Sequence, residues 1–424
     1  MNEGARGVQR TYLVLVLLTT LAASFIWGIN TLFLLDAGLS NTEAFAANAF
    51  FTVGQVLFEV PTGIVADTRG RRFSFLLGAA TLLLATLLYL AMWQLRAPML
   101  GWAVSSILLG LGFTFFSGAT EAWLVDALRA RGYDGDLESV FGRAQTVSGA
   151  AMLVGSFGGG LVAQATNLGA PYLLRAALLG VTLLVALRFM HDLGFSPRRG
   201  ASPVAEVRAI LRGSIDNGWR NPPVRWLMLA GPFTAGVGFY AFYALQPYLL
   251  ELYGDESAYV IAGLAAMTIA AAQIVGGMSV SFVRRFFRRR TDALVLGVAA
   301  NVALLVGIAL APSFAVALVL TALWALVFAV EVPIRQAFIN GLIPSEQRAT
   351  VLSFDNLWAS TGGVVAQPAL GRVADVAGYP TSYLASAGIQ AFALPFTILA
   401  RRERARSDPM RIEVPEEPQP EAVR

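Results

Sequence analysis

The sequence contains no cysteine and no lysine, and its only histidine is His191. Without cysteine, disulfides and thiolate metal sites are excluded. A single histidine cannot build a His-based metal centre, so no metal is expected. The phosphate-binding motif G-x-x-x-x-G-K-[ST] cannot be written without lysine, which argues against ATP-driven pumping by this chain. No catalytic motif appears elsewhere. The chain does not read as an enzyme and no cofactor is expected. Charge is also scarce. It makes up 14% of 424 residues, where a soluble domain carries about a quarter.

Apolar surface takes its place. Hydrophobic residues make up 56% of the chain, and the mean hydropathy is +0.62. Lipid accepts such surface on every side of a helix, and a span needs about 20 apolar residues. Twelve runs qualify, roughly 11–35, 43–66, 73–94, 98–126, 139–166, 170–190, 224–251, 257–283, 292–311, 313–341, 347–374 and 380–400. Open loops and sheet edges cannot sit in hydrocarbon, so these spans must be helical. The first run is longer than a signal-peptide core and is read as a true span. The polar break at 191–222 divides the spans six and six. The expected organisation is an N-terminal bundle (1–190), a cytoplasmic linker with an amphipathic helix (191–222), a C-terminal bundle (223–404) and a disordered cytoplasmic tail (405–424).

Arginine marks the sides. The N-terminus carries Arg6 and Arg10, the 2–3 connection Arg69, Arg71 and Arg72, and the 4–5 connection Arg129, Arg131 and Arg143. The central break and the 8–9 connection are similarly basic, whereas "DAGLSNTEAF", "QATNLGAP" and "ELYGDESAY" have no arginine. Positive loops stay inside, so both termini are expected in the cytoplasm of a bacterial inner-membrane protein. The same distribution explains a pI near 9.6 without a nucleic-acid partner.

A weak internal repeat supports two related halves. A shift of about 214 places Gly63 on Gly277 and Asp126 on Asn340. A shift near 203 places "GGGLVAQ" (158–164) on "TGGVVAQ" (361–367). Such halves are a common transporter plan.

After span 2 the chain reads "GIVADTRGRR", with Gly63, Asp67, Gly70, Arg71 and Arg72 in the pattern G-x-x-x-D-x-x-G-R-R. This resembles the major facilitator superfamily, with Thr68 where that family usually has arginine. The resemblance covers nearly the whole chain and implies two six-helix bundles that work by alternating access. It implies that Gly63 allows close helix approach, Gly70 a tight turn, Asp67 a contact with the start of span 11, and Arg71 a pair with Asp126. Together these residues would latch the cytoplasmic ends in the outward-open state. Gly155, Gly159 and Gly160 of "SGAAMLVGSFGGGLVA" fit the glycine-rich fifth helix of the family's exporters, with Ser156 in place of the usual proline.

Acids within spans are costly and point to function. Glu59 lies roughly 10 Å inside the end of span 2, and Asp355 is similarly deep in span 11. Glu331 and Arg335 are four apart on span 10, on one face. Glu59, Glu331 and Asp355 are the candidates for proton coupling. The competing reading is static pairing, of Glu331 with Arg335, Glu121 with Arg143, and Asp36 with Arg175. Candidates for the substrate cavity are Trp27, Asn30 and Phe33 of span 1, Tyr240, Tyr243 and Gln246 of span 7, and Asn356 and Trp358 of span 11. Aromatic rings with sparse amides suit an amphiphilic or weakly cationic organic molecule. The expected function is secondary active transport by a monomer, as proton-coupled, multidrug-like efflux of a small amphiphilic compound. The alternative is proton-coupled or facilitated uptake of a sugar, organic anion or other nutrient.

Overall fold

A computed structural model describes residues 3–197, 208, 212–344 and 347–410. Its helices are α1 (Glu3–Trp27), α2 (Asn30–Asp36), α3 (Asn41–Arg69), α4 (Arg71–Leu95), α5 (Met99–Thr114), α6 (Ala119–Ala130), α7 (Leu137–Ala165) and α8 (Ala170–Phe189) in the first half. The second half has α9 (Pro222–Tyr253), α10 (Tyr259–Val283), α11 (Arg290–Ala309), α12 (Phe314–Asn340), α13 (Arg348–Ala391) and α14 (Ala393–Arg402). Eleven helical stretches among the described residues are long and apolar enough to cross a membrane. The last, Thr350–Arg402, kinks at Gly378 (φ 79°) and supplies two crossings. The expected all-helical architecture of twelve membrane helices is thus the observed one.

Two expected spans are discontinuous. The first breaks at Gly28–Ile29, between α1 and α2, and the fourth at 115–118, where Gly118 takes φ +66°. Of the expected linker helix, 198–207 and 209–211 lie outside the described residues. Asn221 stands at the N-cap position of α9 and Pro222 opens the helix.

Apolar burial cannot hold helices together in lipid, because lipid is as apolar as leucine. Close packing does, and small residues permit it. The glycines show this at matching places in both halves. A Cβ on Gly159 of α7 would strike the Phe25 carbonyl of α1, and one on Gly362 of α13 would strike the Pro232 carbonyl of α9. These are the two glycines that the 203-residue shift superposes. Gly54 of α3 lies against the Ile107 backbone of α5, as Gly276 of α10 does against Leu326 of α12. Between the halves, Gly160 of α7 meets Gly263 of α10, and Gly371 of α13 meets Asn41 and Phe45 of α3. Gly63 is different: a Cβ there would meet nothing within 4 Å, so its expected close approach is absent.

A second symmetry lies at the arginine-rich end. Asp192, just after α8, accepts the backbone N–H of Arg72 at the start of α4 (2.8 Å). Asp408, just after α14, accepts the backbone N–H and hydroxyl of Thr291 at the start of α11 (2.9 Å each). Each half thus uses the acid that follows its last helix to cap its third. The second contact continues as a strap, with Arg290 N–H to the Asp408 carbonyl and Met410 N–H to the Arg288 carbonyl. Of the tail expected from residue 405, residues 405–410 are hydrogen-bonded into the bundle. Residues 411–424 lie outside the described residues.

Candidate functional site

A cavity of about 450 Å³ lies between the halves. α9 presents Ala235, Gly238, Phe239, Phe242 and Tyr243 to it, a single helical face. Trp324, Ala325 and Phe328 of α12 and Gln273 of α10 complete the wall of the second half. The first half contributes Trp27 and Asn30 at the α1/α2 break, Asn48, Phe51 and Gln55 of α3, Tyr89 of α4, Phe113 of α5 and Arg175 of α8. The wall is largely aromatic, and its polar groups are few and partly tied to one another. Tyr172 donates to Asn30 Oδ1 and Asn30 Nδ2 to Asn48 Oδ1, both at 2.9 Å. The buried Nδ2 of Asn48 has no partner among the described residues.

The cavity is closed off at the arginine-poor end by hydrogen bonds between the halves. Asp375 of α13 accepts the backbone N–H groups of Asn41 and Thr42 at the N-terminus of α3, each at 2.9 Å. A carboxylate is favoured there by the helix dipole. Tyr379 donates to Asn41 (2.5 Å). Gln246 receives the Thr31 N–H (2.8 Å) and donates to the Trp27 carbonyl (2.6 Å), using backbone groups that the α1/α2 break leaves free.

Of the residues expected in the cavity, Trp27, Asn30 and Tyr243 line it. Phe33 does not. It is fully buried, with its ring stacked 3.9 Å from Tyr172. Tyr240 faces away from the lining face of α9 and donates to Ser382 (2.6 Å). Gln246 belongs to the clasp. Asn356 is exposed, and Trp358 packs edge-on against Trp219 (5.6 Å).

Arg175 is the cavity residue that sequence reasoning misplaced. It is buried (2% exposed), donates from Nε to Thr86 (3.1 Å) and from Nη1 to the Ala22 carbonyl (3.3 Å), and stands 5.7 Å from the Phe113 ring. Among the described residues no carboxylate pairs with it. The expected Asp36–Arg175 pair does not form, because Asp36 accepts the Trp93 indole N–H instead (2.7 Å). Arg175 is enclosed because α1 and α4 close over it.

Two other expected pairs are also corrected. Arg335 pairs with Asp355, at 2.5 and 2.7 Å, not with Glu331. A bidentate fork across two helices is stronger than a contact along one. Glu331 turns towards α11, where it accepts from Asn301 Nδ2 (3.2 Å); its buried Oε1 has no partner. Glu121 and Arg143 form no ion pair, and both are exposed. Glu121 faces a separate hollow walled by Ala144, Gln145 and Ser148 of α7, which Arg143 does not line. Glu59 accepts from Ser117 (2.8 Å) at the α5/α6 break.

The 63–72 stretch forms the joint between α3 and α4. Gly70 takes φ +113°, a conformation that L side chains rarely adopt. Arg71 pairs with Asp67, and its Nε lies 4.0 Å from Asp126 of α6. Arg72 donates to the Leu187 carbonyl of α8 (2.7 Å). These contacts bind four helices of the first half together. The expected contact of Asp67 with the start of span 11 falls partly on residues 345–346, outside the described residues.

The sequence profile of the Major Facilitator Superfamily matches residues 12–366. No curated protein matches the sequence. The fold is similar to that of the nucleoside transporter NupG (TM-score 0.76, 11% identity, covering 94% of this chain and 99% of that one). It is also similar to a bacterial homologue of the human lysosomal transporter Spinster in an inward-facing conformation (TM-score 0.71, 16% identity, 96% and 99%). A third similar structure is a peptide transporter of the POT family (TM-score 0.72, 14% identity, 94% of both chains).

Proposed function

As this chain belongs to the Major Facilitator Superfamily and is a transporter rather than an enzyme, we propose that it exports a small amphiphilic organic compound across a bacterial inner membrane in exchange for protons. The observation that carries this is the aromatic cavity between two halves that are clasped at one end only by breakable hydrogen bonds. Alternating access requires such a clasp to part while another closes. In this reading the 63–72 joint braces the cytoplasmic end of the first half, and Asp67 and Arg71 latch it to the second half in the outward-open state.

Coupling needs an interior acid free to exchange its proton. Asp355 is committed to Arg335, and Glu59 is held by the Ser117 hydroxyl. Among the described residues Glu331 has no cationic partner and keeps one oxygen unbonded. We therefore assign proton exchange to Glu331.

Everted vesicles test the proposal. Adding substrate to acid-loaded vesicles should release protons, and Glu331→Gln should abolish the release. Transport of equal size without a proton gradient would make the protein a facilitator. Gradient-driven accumulation in right-side-out vesicles would make it an importer.

A further inference from the structure

Resting on the reading that this cavity holds the transported molecule, we propose that it selects organic anions, with Arg175 taking the acidic head of an amphiphile whose apolar body lies against the aromatic wall. Among the residues lining the cavity, Arg175 is the single charged side chain; there is no aspartate or glutamate. Among the described residues the titratable groups around its guanidinium are neutral tyrosines, Tyr172, Tyr89 and Tyr243, contributed by α8, α4 and α9. A buried cation within a span is expensive and normally sits beside an acid. Among the described residues the protein supplies a hydroxyl, a carbonyl and a ring face, which orient the fork without neutralising it.

The geometry leaves room for a ligand. Nε and Nη1 are engaged with Thr86 and Ala22, while Nη2 makes no hydrogen bond among the described residues. Arginine is suited to planar carboxylates because its N–H groups form a fixed fork. The unpartnered Nδ2 of Asn48, on the same cavity wall, is a second idle donor. A site with a net positive charge and spare N–H groups rewards an acceptor-rich anion. It penalises the weakly cationic guest that the aromatic residues alone suggest, because like charges repel strongly where water is excluded.

The test uses the full chain in lipid nanodiscs and three matched probes: naphthylacetate, its neutral amide and naphthylethylammonium. Binding is measured by calorimetry. The carboxylate should bind at least tenfold tighter than the amide, and the ammonium weakest. Because this preference is read in the unsubstituted protein, no variant has to fold for the proposal to be tested. Arg175→Gln, checked by size-exclusion profile, should remove the preference for carboxylate over amide; Arg175→Lys should restore part of it. Equal binding of carboxylate and amide, or a preference that survives Arg175→Gln, overturns the anion assignment. Amide or ammonium binding that Trp27→Ala weakens would still leave the cavity as the transport site. If none of the three probes binds, both the assignment and the cavity reading fall.

Discussion

Arg335 of α12 holds both carboxylate oxygens of Asp355 of α13, and its Nη2 also reaches the Leu227 carbonyl of α9 (3.2 Å). The pair fastens three helices of the second half. Removing one member leaves a charge stranded in a buried site, which costs about 3–5 kcal/mol. We predict that Asp355→Asn lowers the melting temperature of the purified protein by many degrees. The double variant Asp355→Asn/Arg335→Gln should recover much of the loss. A double variant no more stable than the single one would contradict this.

Glu331→Gln should behave in the opposite way. It removes an ionisable group that has no counter-ion among the described residues and keeps the hydrogen-bonding shape. The fold should be as stable as before or slightly more so, while proton-linked transport disappears. Counterflow, which needs no gradient, should persist. A large drop in melting temperature would mark Glu331 as structural instead.

The glycines give a graded series. Alanine at Gly159 or Gly362 puts a methyl group into a facing carbonyl and should cut the yield of folded protein sharply. Overpacking of this kind typically costs about 1–3 kcal/mol or more. Gly63→Ala meets open space and should be tolerated for folding. Fluorescence-detected size-exclusion profiles would rank the three.

Truncation separates strap from tail. Ending the chain after Met410 should leave stability unchanged. Ending it after Arg402 removes the Asp408 cap on α11 and should cost several degrees, since an N-cap alone is worth about 1 kcal/mol. Asp408→Asn should fall between the two.

The clasp sets the balance between states. Asp375→Ala removes the acceptor for two backbone N–H groups across the halves. It should raise the labelling rate of a cysteine placed at Tyr243 by membrane-impermeant reagents added outside. The background is clean because the chain has no native cysteine. An unchanged rate would mean that Gln246 and Tyr379 suffice.

Much of the fold was legible because lipid imposes a strong pattern: apolar run, polar break, arginine on one side. The repeat at Gly159 and Gly362 was also visible, and the structure gives it a cause in two equivalent helix crossings. Pairings were harder. Glu331 and Arg335 share a helix face, so their spacing suggested a pair. Sequence spacing cannot show that Asp355 on another helix offers a better fork. The enclosure of Arg175 was not legible because neighbouring helices, not its place along its own, bury it. The breaks at Gly28–Ile29 and 115–118 leave no gap in hydropathy, so both spans read as continuous.

The glycine contacts between the halves, Gly160 with Gly263 and Gly371 with Asn41, lie close to one end of long, stiff helices. From Gly263 to the far end of α10 is roughly 30 Å, so a tilt of about 10° carries that end through some 5 Å. A lever with its fulcrum at the tip needs little slack at the bearing to swing the other mouth wide. Wear at that bearing, a methyl group too many, would therefore be felt most at the opposite doorway.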